Sequence, residues 1–75
     1  MYNVWLIRKE NSNGSYSYYS HVANGFPEWV TGRNSRENAK HFKTEGEAKK
    51  VFEQISIYTL GSKVDIITAK VQRLK

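Results

Sequence analysis

The stretch Thr44–Ile55, "TEGEAKKVFEQI", decides the fold because it carries a clear helical period. Thr44 and Glu47 stand at the spacing of a capping box. In that motif the Thr44 hydroxyl accepts from the third helical N–H, and Glu47 reaches back to the Thr44 N–H. Four apolar residues follow at the spacing i, i+3, i+4 and i+7, and they are Ala48, Val51, Phe52 and Ile55. The stretch therefore predicts one amphipathic helix with a single apolar face to bury. We expect the helix to end at Tyr58 or Thr59, before Gly61.

Strand patterns rich in β-branched and aromatic residues occupy most of the remaining chain. The four predicted strands are Tyr2–Lys9, the tyrosine-rich stretch Gly14–Val22, the short segment Glu28–Thr31 and the final segment Lys63–Leu74. The first is apolar on both faces, which favours a central position in the sheet. Asn13-Gly14 predicts a hairpin turn between the first two strands. The third is brief and flanked by Pro27 and Gly32, which favours an edge.

A polar, basic segment, Gly32–Lys43, separates the third strand from the helix and has neither a helical nor a strand period. We interpret it as a connecting loop of about 10 residues, a length that is uncommon in compact domains and often functional. Ala39 and Phe42 are its apolar residues, and we expect both to dip into the core.

The predicted order is therefore β-β-β-α-β in a single domain, residues 1–75. One helix with one apolar stripe covers one face of a sheet. The sequence thus predicts a two-layer α+β fold, in which a four-stranded, mainly antiparallel sheet carries one helix on one face. We expect the opposite sheet face to be partly open to water.

The composition excludes several kinds of site. The chain has no cysteine, so it has no disulfide, thiolate metal ligand or cysteine nucleophile. It also has no apolar run near the length of about 18 residues that spans a bilayer, and its N-terminus lacks the pattern of a signal peptide. We therefore expect no membrane partner and a location in the cytoplasm.

Residues suited to catalysis are few. The chain has two histidines, His21 and His41, and one aspartate, Asp65, and they do not stand at a recognisable zinc or hydrolytic spacing. The five glycines are spaced as turns and caps rather than as a phosphate-binding loop. We expect no enzyme, no catalytic residue, no metal and no cofactor.

The charge points to an anionic partner. Twelve Lys and Arg oppose seven acidic residues, for a net charge of +5, which attracts nucleic acid or an acidic protein surface and also serves solubility. The candidate binding residues are the basic Arg33, Arg36, Lys40, Lys43, Lys49 and Lys50 and the aromatic Tyr16, Tyr18 and Tyr19. If the loop and the exposed helix face lie side by side, the basic residues form one patch. Strand alternation places Tyr16 and Tyr18 on one face and Tyr19 with His21 on the other.

A tyrosine-rich hairpin, a Trp and the pattern Ala-x-x-Phe-x-Thr-x-x-Glu-Ala before a helix and a last strand resemble small accessory proteins of bacteriophages and mobile elements. The residues that carry the likeness are Trp29, Ala39, Phe42, Thr44, Glu47, Ala48 and Val51. The resemblance implies a phage-type protein that binds and blocks host machinery in a bacterial cytoplasm, in the manner of an anti-CRISPR protein.

Three functions follow from these features. The first is antagonism of a host protein, such as a CRISPR effector or another defence nucleoprotein, by occupying its surface through the basic loop and an aromatic sheet face. The second is direct binding of nucleic acid, with tyrosines stacking on bases. The third is a structural or regulatory homodimer joined through the open sheet face. The edge strand Glu28–Thr31 is a further place for a partner strand to pair.

Overall fold

Four antiparallel strands form one sheet in the computed structural model, which describes residues 1–75. The spatial order is β3-β2-β1-β4, so the first strand is central and the third is an edge, as predicted. The elements are β1 (Tyr2–Glu10), β2 (Tyr16–Ala23), β3 (Phe26–Thr31), α1 (Ser35–Asn38), α2 (Glu45–Ile55) and β4 (Lys63–Val71). The helix α2 ends at Ile55, before the predicted end at Tyr58 or Thr59, and a 3₁₀ turn over Ser56–Tyr58 follows it. The α+β fold class is confirmed.

The helix α2 begins where the capping box places it. The Thr44 hydroxyl accepts from the Glu47 N–H at 3.2 Å, which satisfies one of the free amides of the first turn. The reciprocal bond is shifted by one residue: the Glu47 carboxylate accepts from the Lys43 N–H at 3.4 Å instead of from Thr44. The predicted start of the helix is confirmed, and the second half of the motif is corrected.

The helix α2 packs on the sheet face that we call the helix face. Its buried centre contains Ile7 and Tyr19 from the sheet, Phe42 from the segment before α2, and Ala48 and Ile55 from the predicted stripe. Partly buried residues complete this cluster, and they include Trp5, Trp29, Val51, Phe52, Val64 and Ile66. The helix thus buries its apolar stripe against aromatic and β-branched side chains.

The opposite face of the sheet, which we expected to be partly open to water, carries a second core. Val4, Leu6, Tyr18 and Val71 are buried there, and Ala39 is buried with them at the end of α1. The short helix α1 contacts β2, β3 and β4. The segment that we expected to be a plain loop thus forms one helical turn, which is too short for a helical period to show in the sequence.

The chain crosses the plane of the sheet between α1 and α2. Strands β1 and β2 pair only where Arg8–Glu10 meets Tyr16–Tyr18. Beyond that point the crossing segment, Ala39–Phe42, lies between them. The Lys40 N–H donates to the Tyr19 carbonyl of β2 at 2.8 Å. On the other side Phe42 and Trp5 of β1 exchange two backbone hydrogen bonds of 2.9 and 3.0 Å.

This crossing places Ala39 in one core and Phe42 in the other, at 1% and 3% exposure. Both residues enter the core as the sequence predicts. The two helices consequently lie on opposite faces of the sheet.

The end of the chain is tied to α1 and the crossing segment. The Glu37 carboxylate accepts from the backbone N–H groups of Gln72 at 2.7 Å and Arg73 at 3.4 Å. Buried His41 accepts through Nδ1 from the Lys75 N–H at 2.8 Å. Its Nε2, which lies 2.8 Å from the Arg36 carbonyl, must therefore be the donor, since a carbonyl only accepts.

One extra residue in β2 changes the predicted alternation. Tyr19 pairs with Trp29, but His21 pairs with Glu28, and the intervening Ser20 forms a bulge. Cross-strand partners share a face, and Trp29 and Glu28 are neighbours that point to opposite faces. His21 therefore does not share the face of Tyr19, and that expectation is wrong.

We predict that Phe42→Ala lowers the free energy of unfolding by about 3–5 kcal/mol, because it leaves a cavity in the helix-face core. A loss of this size approaches the total stability that such a small core supplies, about 3–5 kcal/mol. Urea denaturation followed by circular dichroism measures the change.

The matched control is Phe26→Ala, which removes the same side chain at a site that is 59% exposed. We expect it to lose about 0.5–1.5 kcal/mol, the contribution of its aromatic contact. Equal losses in the two variants would contradict the central place of Phe42 in the core.

Candidate functional site

The three candidate tyrosines of β2 do not share a surface. Tyr16 is 39% exposed, whereas Tyr18 and Tyr19 are 4% and 7% exposed. Tyr18 belongs to the core under α1 and Tyr19 to the core under α2. They do point to opposite faces, as strand alternation predicts. Only the ring of Tyr16 is available to a partner, so one of the three candidate tyrosines can make the predicted aromatic contact.

Tyr19 is held by other aromatic rings. Its ring is stacked near that of Phe42, with centroids 6.4 Å apart, and meets Trp29 edge-on at 6.2 Å. Burial raises the pKa of the Tyr19 phenol, because the charged phenolate is disfavoured away from water. The aromatic sheet face that we expected to bind a partner is thus covered by α2.

The six basic candidates are all exposed, but they do not form one patch. Arg33 and Arg36 lie in or beside α1. Lys49 and Lys50 lie on α2, on the other side of the sheet, where Lys49 approaches Glu45 at 3.9 Å. The remaining two, Lys40 and Lys43, lie in or next to the crossing segment. The loop and the exposed face of the helix are therefore not side by side.

An open groove of about 500 Å³ lies between α1 and β2, and we call it the α1 groove. Its lining includes Tyr16, Tyr18, Arg36, Glu37 and Lys70. Gly32 and Asn34 also line it, so Arg33 stands beside the groove along the chain. The groove thus brings together three of the predicted binding residues, Tyr16, Tyr18 and Arg36.

Arg36 is oriented by the ring and the hydroxyl of Tyr18. Its Nε donates to the Tyr18 hydroxyl at 3.1 Å, and its guanidinium carbon lies 5.8 Å from the centre of the ring. Neither Nη group has a hydrogen bond or an ion pair within the protein. The outer side of the guanidinium is therefore free to donate to an external acceptor.

Arg8 has the opposite role, because its charge is already paired. Its Nε and Nη2 donate to the two carboxylate oxygens of Asp65 at 3.0 and 2.7 Å, across the β1–β4 pairing. The hydrogen bond to Asp65 raises the pKa of Arg8, so this side chain stays charged. The guanidinium carbon lies 4.2 Å from the centre of the Tyr16 ring, which it supports from one side.

An exposed aromatic pair lies away from the groove. Phe26 of β3 and Tyr58 of the 3₁₀ turn meet edge-on with centroids 5.3 Å apart, while 59% and 51% exposed. Ile57 and Leu60, beside Tyr58 in the chain, are 68% and 80% exposed. Neither this apolar surface nor the Arg8–Asp65 pair is evident from the sequence. Both join residues far apart in the chain, and only the strand register would have revealed the ion pair.

No group of three or more His, Cys, Asp or Glu side chains is arranged to hold a metal ion. None of the helices has both the length and the apolar character needed to cross a membrane. The chain matches no protein-family model, no curated protein and no solved structure. Function must therefore be inferred from the α1 groove and its surroundings.

We predict that the protein loses stability above about pH 10, the ordinary pKa of tyrosine. Above that pH the unfolded chain releases the Tyr19 proton while the folded chain retains it, because burial raises the pKa in the fold. The contribution of Tyr19 is complete below pH 10 and disappears as the pH rises through its folded pKa. The free energy of unfolding of Tyr19→Phe should therefore fall less steeply with pH than that of the parent protein, by up to about 1.4 kcal/mol per pH unit.

Urea midpoints at a series of alkaline pH values measure this difference. Tyr16→Phe is the control, because it removes an exposed phenol from the same strand. A Tyr19→Phe variant with the same pH dependence as the parent would contradict the raised pKa of that phenol.

Proposed function

We propose that this protein is a non-enzymatic binding protein that occupies an acidic surface of a partner protein through the α1 groove. In the setting that the phage resemblance implies, the partner is a host protein, such as a CRISPR effector or another defence nucleoprotein. Binding would then block the surface that the effector needs for its own ligand.

The observation that carries this proposal is the free outer side of Arg36. A guanidinium donates two parallel hydrogen bonds to a carboxylate, and such charge-assisted pairs are stronger than neutral ones. Tyr18 already fixes the orientation of this side chain through its hydroxyl. A side chain that is ordered before binding loses less conformational entropy when the partner arrives.

Tyr16 adds a rigid aromatic contact beside this charge. Its ring lines the α1 groove and rests against Arg8, which Asp65 holds in place. Tyr and Arg are among the residues most enriched at the energetic centres of protein interfaces. The groove therefore combines an oriented cation with a supported aromatic ring.

A protein partner is favoured over nucleic acid by the placement of the other candidates. Proteins that bind single strands stack successive bases on several exposed rings and follow the backbone along a positive groove. Here two of the three tyrosines are buried, and the basic residues are divided between the two sides of the sheet. Binding of nucleic acid is the alternative that the following experiment tests.

We predict that the protein binds a short poly-L-glutamate peptide and that Arg33→Gln/Arg36→Gln weakens this binding about tenfold, because the oriented guanidinium is lost. Fluorescence titration with labelled peptide, at low and moderate salt, measures the dissociation constants. A single-stranded oligonucleotide of equal charge is titrated in parallel.

The matched control is Lys49→Gln/Lys50→Gln, which removes the same net charge from α2. We expect it to change the affinity for the peptide less than twofold at moderate salt, where long-range attraction is screened. Equal weakening by both double variants would show that net charge alone determines the affinity, and it would overturn the proposal. Tighter binding of the oligonucleotide, lost in the same variants, would favour the nucleic-acid function.

We predict that Tyr18→Phe weakens binding of the same peptide about threefold while the fold is kept. The variant retains the buried ring and removes only the hydroxyl that orients Arg36. In the background of Arg33→Gln/Arg36→Gln the same change should have no further effect on affinity. An additional loss in that background would show that Tyr18 acts by another route.

A further inference from the structure

The sheet has two edges, β3 and β4, and they differ in what they offer to another strand. An unpaired edge presents a row of backbone donors and acceptors, which natural proteins often block with proline or a bulge. The edge strand β4 is nine residues long and contains several β-branched residues. Its outer side pairs with no other strand of the sheet.

The direction of the free groups follows from the crossing segment. Trp5 exchanges both of its backbone hydrogen bonds with Phe42, so its peptide groups point away from β4. Two residues directly opposite in an antiparallel pair either exchange backbone hydrogen bonds or both direct them away from each other. The backbone groups of Thr68, the partner of Trp5 in β4, therefore point away from β1, and this direction alternates along the strand. The residues of β4 whose N–H and C=O groups point outward are therefore Val64, Ile66, Thr68 and Lys70.

The other edge is blocked by a proline. The Tyr19 carbonyl accepts from the Lys40 N–H, so the backbone groups of Tyr19 point away from β3. The backbone groups of its partner Trp29 therefore point to the outer side of β3. Because backbone direction alternates along the strand, the backbone of Pro27 also faces outward, where it has no N–H to donate. Bulged β2 lies directly behind this strand. Edge β3 thus has a proline and an adjacent bulge, and edge β4 has neither.

No group of the chain hydrogen-bonds to the outer side of β4. After Val71 the chain turns toward α1, where Glu37 holds Gln72 and Arg73, and Lys75 bonds to His41. The outward groups of the four β4 residues take part in none of the hydrogen bonds made outside the helices and strands. The outward N–H and C=O groups of this edge are therefore unpaired along its whole length.

We infer that β4 pairs with β4 of a second copy of this chain, antiparallel and centred on Ile67. The four outward residues are symmetric about position 67, so this register matches Val64 with Lys70 and Ile66 with Thr68 of the partner. Each such pair exchanges two backbone hydrogen bonds. A register centred on residue 66 or 68 would instead match an outward residue with Ser62 or Gln72, which lie outside the strand.

Charge is compatible with this register. Like charges directly opposite each other destabilise paired strands. In the proposed pairing Lys63 meets Val71, Asp65 meets Ala69 and Lys70 meets Val64, so no like charges face one another. A register centred on Asp65 or Lys70 would place that residue opposite its own copy. The two Ile67 side chains meet across the two-fold axis.

Cross-linking tests the register directly, since the chain has no cysteine of its own. Ile67→Cys should form a disulfide-linked dimer on mild oxidation of a dilute solution, because the two positions face each other across the axis. Thr68→Cys is the matched control. In the proposed register, position 68 of one chain lies diagonally across from position 68 of the other. The two Cα atoms are then farther apart than the separation of about 7 Å that a disulfide can bridge. Equal cross-linking at both positions would overturn the register.

The affinity of the pairing is tested by sedimentation equilibrium from micromolar to millimolar concentration. We expect a reversible dimer for the parent protein and for Thr68→Ala. Thr68→Pro removes an outward N–H without touching the β1–β4 ladder, and we expect it to weaken dimerisation at least about tenfold. Circular dichroism establishes that this variant is folded. A parent protein that stays monomeric over the whole range would overturn the inference.

Discussion

The backbone hydrogen bonds of the crossing segment are the constraint on which the rest of this structure depends. Where β1 and β2 diverge, the peptide groups of Trp5 and Tyr19 would be buried without partners, a costly condition for any backbone group. Phe42 and Lys40 supply those partners. Because the segment must pass through the sheet to do so, the helices before and after it lie on opposite faces.

This arrangement explains how a chain of 75 residues forms a core on both faces of its sheet. A single short helix covers only one face, and the other would remain wet. The single turn of α1, which Glu37 holds to the residues just after β4, covers part of the second face with few residues. Tyr18 serves both purposes there. Its ring completes the core, and its hydroxyl reaches the surface to orient Arg36.

The sequence was sufficient for the features that depend on neighbouring residues. The cap at Thr44, the apolar stripe of α2 and the turn at Asn13-Gly14 are local, and all three were predicted. The single turn α1 is shorter than one helical repeat, so no periodicity can show it. The bulge at Ser20 and the Arg8–Asp65 pair depend on strand register. The separation of the basic residues depended on the crossing of the sheet, which no local pattern encodes.

Pairing through β4 would change how the α1 grooves bind a partner. In antiparallel pairing, residues that face each other lie on the same side of the sheet. A dimer joined through β4 would therefore place both copies of α1 on one side of a continuous eight-stranded sheet. The two α1 grooves would then face the same partner surface. An acidic surface with two suitable sites would be bound bivalently, so that moderate affinity at each Arg36 becomes much tighter binding overall. The net charge of +5 per chain would add attraction from a distance, and the grooves would decide where binding occurs.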